Sequence, residues 1–271
     1  MGRLIKHLTN ILGIKSSHRY PYPAHDITLA DDRHLHLVGS IHMGTKNMFP
    51  LSEILIEQLN QSDTLIVEAD ITQADSPFHD EFQSYHRIEQ RLSSDEMYQN
   101  FQDCCNEIQQ QEEFLNLLPS WQIALILQAG QAQNLGLHPQ YGIDYQLLNA
   151  AKAQGKTIIE LEGTESQINL LNQIPNNGLP LLEDTLTHWH ANARALQTMI
   201  NWWMDYQPEQ QEHALPTTFS KEIYQLLMTE RNKRWNKRLR ELPAGQYLIA
   251  VGVLHLYGEG NLPQMLAEEP D

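Results

Sequence analysis

The feature that most constrains this chain is a short pattern that occurs twice, near opposite ends of the sequence. Residues 35–44 read Leu-His-Leu-Val-Gly-Ser-Ile-His-Met-Gly, and residues 249–258 read Ile-Ala-Val-Gly-Val-Leu-His-Leu-Tyr-Gly. Each copy is an apolar run that predicts a buried strand, followed by a glycine and then a histidine. Glycine permits a sharp turn at a strand end, which places the histidine at the tip of a rigid element. We therefore predict that His42 and His255 converge on one metal site.

Acidic residues close two other predicted strands. Glu68 with Asp70, and Glu160 with Glu162, share one face within each pair, because side chains alternate along a strand. Together with two imidazoles, these carboxylates suit zinc, manganese or iron, and such a metal activates water while a spare carboxylate acts as base. The alternatives are histidines that bond only to loop carbonyls, and acids that are solvated or cap the next helix.

An arginine lies on the apolar face of a predicted helix. The stripe over residues 221–241 contains Ile223, Leu227, Arg231 and Trp235. A buried guanidinium needs an anionic partner, so we expect Arg231 either to pair with a strand-end carboxylate or to bind a substrate anion or oxyanion. The alternatives are a purely structural salt bridge and a side chain that extends to water.

The hydrophobic periodicity predicts an α/β fold: a central mixed β-sheet built from βαβ units, with a helical insertion or cap over the strand ends. Asp144 is the predicted N-cap of a helix that Gly155 ends. The other predicted elements are a hairpin around residues 31–32, strands over 64–69, 156–161 and 247–251, helices over 51–60, 180–206 and 261–267, and helical insertions over about 72–135 and 165–240.

Charge and cysteine content limit the possible partners. The net charge is -16, which argues against nucleic acid as the main partner. Cys104 and Cys105 are adjacent, so they imply no disulfide framework, and without a secretory pattern at the N-terminus we expect a cytoplasmic protein. Two regions are expected: a basic amphipathic segment at 1–24 and a domain at 25–271. Membrane-surface contact through residues 1–19 is the minor alternative to a segment that packs on its own domain.

These motifs, in this order, resemble the TraB/PrgY/GumN family (also called TraB/GumN), and within it the YbaP-type bacterial members. The resemblance spans roughly residues 25–266. The motifs that carry it are Leu-Val-Gly-Ser-Ile-His-Met-Gly at 37–44, Leu-Ile-Val-Glu-Ala-Asp at 65–70, Tyr-Gly-Ile-Asp at 141–144, Ile-Glu-Leu-Glu at 159–162, Arg-Asn-Lys-Arg-Trp at 231–235 and Val-Gly-Val-Leu-His-Leu at 251–256.

The resemblance implies a function as well as a fold. The family is similar to the Tiki ectodomain proteases, in which paired Gly-x-x-His motifs and a glutamate are tied to metal-dependent proteolysis. By that likeness the chain is expected to be a metal-dependent hydrolase acting on peptides or small molecules, with manganese, zinc or cobalt held by His42, Glu68 and His255. Glu162 is the expected base or fourth ligand, and Arg231 and Asp144 position substrate or ligands. The alternative is a non-catalytic protein of the TraB/PrgY type that sequesters a peptide or small ligand.

Overall fold

The computed structural model describes residues 20–72, 85–205 and 218–268, and the structural statements below concern these residues. The predicted membrane-contact segment at 1–19 lies outside them, as do 73–84 and 206–217 within the two predicted helical insertions. No helix in the described part of the chain combines the length and the apolar character needed to cross a bilayer.

A mixed sheet forms the centre of the described residues, with strand order β1-β2-β5-β3-β4. Strand β1 is antiparallel to β2, and the other neighbouring strands are parallel. The predicted hairpin is confirmed, since Asp31 and Asp32 turn the chain with φ of 60° and 55°. The strands are β1 (Ala24–Leu29), β2 (Arg33–Ser40), β3 (Thr64–Val67), β4 (Thr157–Glu160) and β5 (Gly245–Gly252).

The position of β5 explains how the two ends of the chain meet. Strands β2 and β3 are joined by a helix but are not neighbours in the sheet, because β5 lies between them. Ser40 pairs with Gly252 in the parallel register of β2 and β5. Because parallel strands in this register end at the same edge, both Gly-x-x-His motifs leave the sheet side by side.

Helices surround the sheet and account for the predicted insertions. Ser52 caps the first of them, its side chain accepting from the backbone N–H of Leu55. The helices are α1 (Glu53–Gln61), α2 (Ile88–Arg91), α3 (Asp95–Glu107), α4 (Glu112–Leu115), α5 (Ser120–Asn134), α6 (Ile143–Ala153), α7 (Thr164–Asn172), α8 (Pro175–Thr187), α9 (Trp189–Met204), α10 (Lys221–Tyr224), α11 (Glu230–Arg240) and α12 (Leu262–Ala267), with a π-helical turn at Gln225–Thr229 joining α10 to α11.

Both faces of the sheet are buried, which is why its central strands are continuous apolar runs. Leu65 and Val67 of β3 belong to the core on one face, and Ile66 between them belongs to the core on the other. A third core lies among the helices and includes Phe101 and Leu182. Burying each large apolar side chain contributes about 1.5–3 kcal/mol, so these three cores fix the layers of the fold.

Two predictions about helix ends are wrong. Asp144 is not an N-cap: α6 begins at Ile143, Gly142 is its N-cap residue, and Asp144 lies in its first turn. The physical reason is a tertiary contact: the Asp144 carboxylate bonds to His42 Nδ1 at 3.0 Å, and α6 has no side-chain cap. The helix predicted over 180–206 is divided at His188, whose φ of -101° and ψ of 17° separate α8 from α9. No glycine or proline at this position marks the break in the sequence.

Candidate active site

The two motif histidines line one cavity at the edge of the sheet. His42 follows β2, and His255 ends a short 3₁₀ helix, Val253–His255, that follows β5. Glu68 and Arg231 line the same cavity, which has a volume of about 370 Å³. Asp144 and Glu162 do not line it, but each contacts a residue that does. The structure therefore connects all six predicted site residues.

The walls of the cavity are mostly apolar and come from the helical insertions. Helix α5 contributes Leu125 and Ala132, and helix α9 contributes Leu196 and Met199. The imidazoles and Glu68 come from the sheet edge and Arg231 from α11, and helices α5 and α9 add the polar side chains of Gln128, Gln131 and Asn192. A cavity of this kind suits a ligand with an apolar body and a polar group directed at the sheet.

His42 is held in place by a buried carboxylate. Its Nδ1 lies 3.0 Å from Asp144 Oδ2, and the Asp144 side chain is 5% exposed while that of His42 is 60% exposed. Because a carboxylate only accepts hydrogen bonds, Nδ1 carries the proton and Nε2 is the nitrogen left for other chemistry. The Asp144 charge raises the pKa of His42 above its usual range, and the more distant Glu68 acts in the same direction.

Backbone contacts between two of the motifs create this histidine–aspartate pair. The Ile143 N–H donates to the Ile41 carbonyl at 2.9 Å, and Gly44 exchanges two hydrogen bonds with His138. A Cβ atom at Gly44 would lie 2.3 Å from the Tyr141 carbonyl oxygen. The histidine loop thus lies against the segment before α6 at a separation that only glycine allows, and this explains the glycine that ends the motif at 37–44.

A buried ion cluster forms the floor of the cavity. Arg231 Nη2 lies 2.5 Å from Glu68 Oε2 and 3.0 Å from Glu162 Oε2. The other Glu68 oxygen accepts the Gly252 N–H at 2.6 Å. Burial raises the pKa of Glu68, but Arg231, His255 and His42 outweigh burial and hold it at about 2. Glu68 is therefore ionised at neutral pH.

His255 is a neutral member of the same cluster. Arg231 can only donate, so His255 Nε2 accepts from Arg231 Nη1 at 3.2 Å, and Nδ1 donates to Asn232 Oδ1 at 2.7 Å. The imidazole also lies against the Trp235 ring, with 4.4 Å between centroids. Burial lowers the pKa of His255 to about 3, although the Glu68 charge acts in the opposite direction.

The four strand-end acids have different partners. Glu68 and Glu162 share Arg231, whereas Asp70 pairs with Lys152 at 2.8 Å and Glu160 accepts the backbone N–H of Asp70 at 2.5 Å. Glu162 also lies 3.3 Å from Arg234 Nη2. Both Glu162 oxygens are thus occupied by guanidinium groups, and the position of Glu162 supports a role as the partner of Arg231.

Asn232 is a site residue that the sequence analysis missed. It follows Arg231 directly, and its place in the motif at 231–235 is the sequence signal that could have identified it. Its side chain lies 2.7 Å from His255 Nδ1, and helical periodicity does not encode a contact with another segment of the chain. The apolar stripe from Ile223 selects Arg231 and Trp235 and leaves out the positions between them.

The donor types expected for a divalent metal are present, but their arrangement does not fit one. Among residues 20–72, 85–205 and 218–268, no three His, Cys, Asp or Glu side chains are grouped so that they could hold a metal ion. Glu68 and His255 direct their donor atoms at Arg231, and His42 bonds to Asp144. The role of His42, Glu68 and His255 as metal ligands stays a prediction.

The fold and site define an α/β protein in which a helical layer covers two adjacent Gly-x-x-His strand ends. The chain belongs to the TraB/PrgY/gumN family, whose model matches residues 24–270. It is 52% identical over 247 residues to "Uncharacterized protein YbaP" of Escherichia coli (strain K12), covering 91% of this chain and 93% of that protein. The protein of the same name from Shigella flexneri has the same identity and coverage. No solved structure matches the chain.

Proposed function

We propose that the chain is a hydrolase that cleaves peptides in this cavity, with His42 as the general base. The observation that carries the proposal is the His42–Asp144 pair: a solvent-accessible imidazole, oriented by a buried carboxylate, beside a mostly apolar cavity. This combination of orientation and access is what acid–base catalysis requires. The cavity walls suit an apolar peptide side chain next to the bond that is cleaved.

The proposed reaction uses His42 twice. Nε2 removes a proton from a water molecule as the water oxygen bonds to the substrate carbonyl carbon, and Asp144 stabilises the resulting imidazolium. The imidazolium then donates that proton to the leaving amine nitrogen as the carbon–nitrogen bond breaks. Glu68, Arg231 and His255 form a rigid floor under these steps, and none of them gains or loses a proton.

A non-catalytic role is the second candidate, and a specific observation favours it. The buried charges of the floor are already paired with one another, and the pKa of His255 is too low for it to serve as an acid near neutral pH. A mostly apolar cavity above a paired ion cluster also suits a protein that sequesters a peptide or small ligand without turnover.

Incubation with a diverse peptide library, followed by mass spectrometry, separates the two candidates. Wild type is expected to generate new peptide termini, and His42→Asn is expected to be at least about 100-fold slower, because it lacks the base. His190→Asn is the matched control, since His190 is exposed on α9 outside the cavity lining. Each protein is assayed with chelator and with added Mn²⁺ or Zn²⁺.

Two results would contradict the hydrolase proposal. The first is retention of peptides by wild type without any cleavage under all metal conditions, which would favour the sequestering protein. The second is equal cleavage by wild type and His42→Asn, which would assign the activity to another site or to a contaminant.

A further inference from the structure

Arg231 has no donor left for a substrate. A guanidinium carries five N–H groups, and here Nε–H donates to Glu162 at 3.1 Å. The two Nη2 hydrogens meet Glu68 and Glu162, and the Nη1 hydrogens meet His255 Nε2 at 3.2 Å and the Leu227 carbonyl at 3.3 Å. The expectation that Arg231 binds a substrate anion therefore has no support in this arrangement.

The partners of Arg231 are the donors that a divalent cation would take. Two carboxylates and an unprotonated imidazole nitrogen surround the guanidinium, and this mixture is typical of zinc and manganese sites. Arg231 itself is 8% exposed, and its guanidinium lies 4.6 Å from the centroid of the Trp235 ring. The cation is thus fixed by carboxylates, a backbone carbonyl, an imidazole and an indole face.

We infer that Arg231 is the resident cation of this cluster, occupying the place between Glu68, Glu162 and His255 that a divalent metal would need. While the guanidinium is there, these three side chains hold no metal. Its removal would leave two buried carboxylates and a free imidazole nitrogen facing the vacated space, which is the mixture of donor types that a divalent ion binds. This role of Arg231 in the floor of the cavity is independent of whether the chain cleaves peptides.

The charges of the floor are consistent with replacing the Arg231 guanidinium by a divalent metal ion. Glu68 and Glu162 carry two negative charges against one positive charge on Arg231, and a divalent cation in its place would balance them. Arg234 also contacts Glu162, but its side chain is 54% exposed, so water already screens its charge. Loss of Arg234 should therefore leave the cluster closed to metal, and Arg234→Met is a matched control.

The test measures Mn²⁺ binding by equilibrium dialysis on the full-length, metal-stripped chain. Wild type and Arg234→Met are expected to hold no stoichiometric Mn²⁺. Arg231→Met and Arg231→Gln are expected to bind a single ion, with a Tm that rises by about 5–10 °C when Mn²⁺ exceeds its Kd 100-fold. Adding Glu68→Gln to Arg231→Met should abolish both responses, which distinguishes this site from adventitious binding to an acidic surface.

The proposal is overturned if wild type binds Mn²⁺ stoichiometrically through Glu68 with an affinity close to that of Arg231→Met, since metal and guanidinium would then coexist. It is also overturned if neither Arg231 variant binds, or if both stay unfolded in Mn²⁺. A variant that folds only when Mn²⁺ is present supports it. Peptide cleavage by wild type in chelator is scored separately, so failure of the hydrolase proposal does not affect this result.

Discussion

His42 and His255 occupy matching positions in the repeated motif, but their surroundings give them opposite properties. Asp144 raises the pKa of His42, whose ring reaches solvent, whereas burial lowers the pKa of His255 to about 3. His42 can exchange protons with solvent, and His255 serves as a fixed acceptor for Arg231. The repeat in the sequence therefore brings two imidazoles to one cavity without giving them one role.

The Asp144→Asn variant tests the proposed base through the pH profile of kcat/KM. His42 acts as a base only when deprotonated, so activity rises with pH through its pKa, which Asp144 raises. Asp144→Asn should move this limb to lower pH, toward the ordinary value of about 6.5, and reduce the plateau by about 100-fold or more. Asp70→Asn is the control, because Asp70 is also a buried carboxylate, but it follows strand β3 and pairs with Lys152. An unmoved limb in Asp144→Asn would remove His42 from the proposed step.

The Glu68→Gln variant tests the ion cluster through stability. Removing one partner of a buried pair leaves the other charge uncompensated, so the free energy of unfolding at pH 7 should fall by about 3–5 kcal/mol. Because the folded pKa of Glu68 is depressed to about 2, its contribution is present above about 4.5 and is lost as pH falls through 2. Urea denaturation measures both effects. Glu57→Gln, at an exposed position of α1, should change stability by no more than about 0.5 kcal/mol.

Among the elements, the sequence predicted strands and motifs better than helix ends. Apolar runs and glycines determine strands and turns through local chemistry, so β2, β5 and the histidine turns could be predicted from the sequence. The role of Asp144 depends on contact between α6 and a loop 102 positions away in sequence. The same limit applies to Glu160 and Glu162, which share a predicted face but bond to different elements, and to Asn232, which bonds to His255 23 positions away.

Contact between the loop after β2 and the start of α6 predicts the effect of Gly142→Ala. The new Cβ would lie 2.2 Å from the His42 carbonyl oxygen, so one segment must move. The φ of -61° at this residue suits alanine, and the cost is therefore steric, about 1–3 kcal/mol. Because the same contact positions Asp144, kcat/KM should fall more than stability alone explains. Thermal unfolding and peptide assays are the measurements, and unchanged values in both would show that the segments can separate freely.

At the scale of the whole molecule, the cavity lies where two separately predicted parts meet. The sheet edge provides the histidines and Glu68, and helices from both insertions provide the apolar walls. Periodicity predicted both insertions, but it cannot show which helices face the sheet, because that depends on packing between distant segments. The insertion of β5 between β2 and β3 is likewise a pairing choice that no local pattern encodes.

Two histidines whose pKa is lowered by burial predict how the stability of the whole chain changes in acid. Burial holds the pKa of His255 at about 3 and also lowers that of His25. Below about 6.5 the unfolded chain binds protons that these two folded-state histidines exclude, so their effect is absent above that pH, and they lower stability as pH drops below 6.5, for His255 down to about 3. For His255 the slope within this window is about 1.4 kcal/mol per pH unit, and His25 acts in the same direction.

The His255→Gln variant isolates one of these slopes. It has no imidazole to protonate, so unfolding between pH 6 and 4 should take up about one proton fewer than in wild type. The slope of stability against pH should therefore be shallower, even though the variant is less stable at pH 7. His190→Asn, which removes an exposed imidazole, should leave the slope unchanged. Urea denaturation at intervals across this range measures the slope directly. An identical slope in His255→Gln and wild type would mean that His255 is protonated in the folded state, and that Arg231 and His255 are not paired as the structure places them.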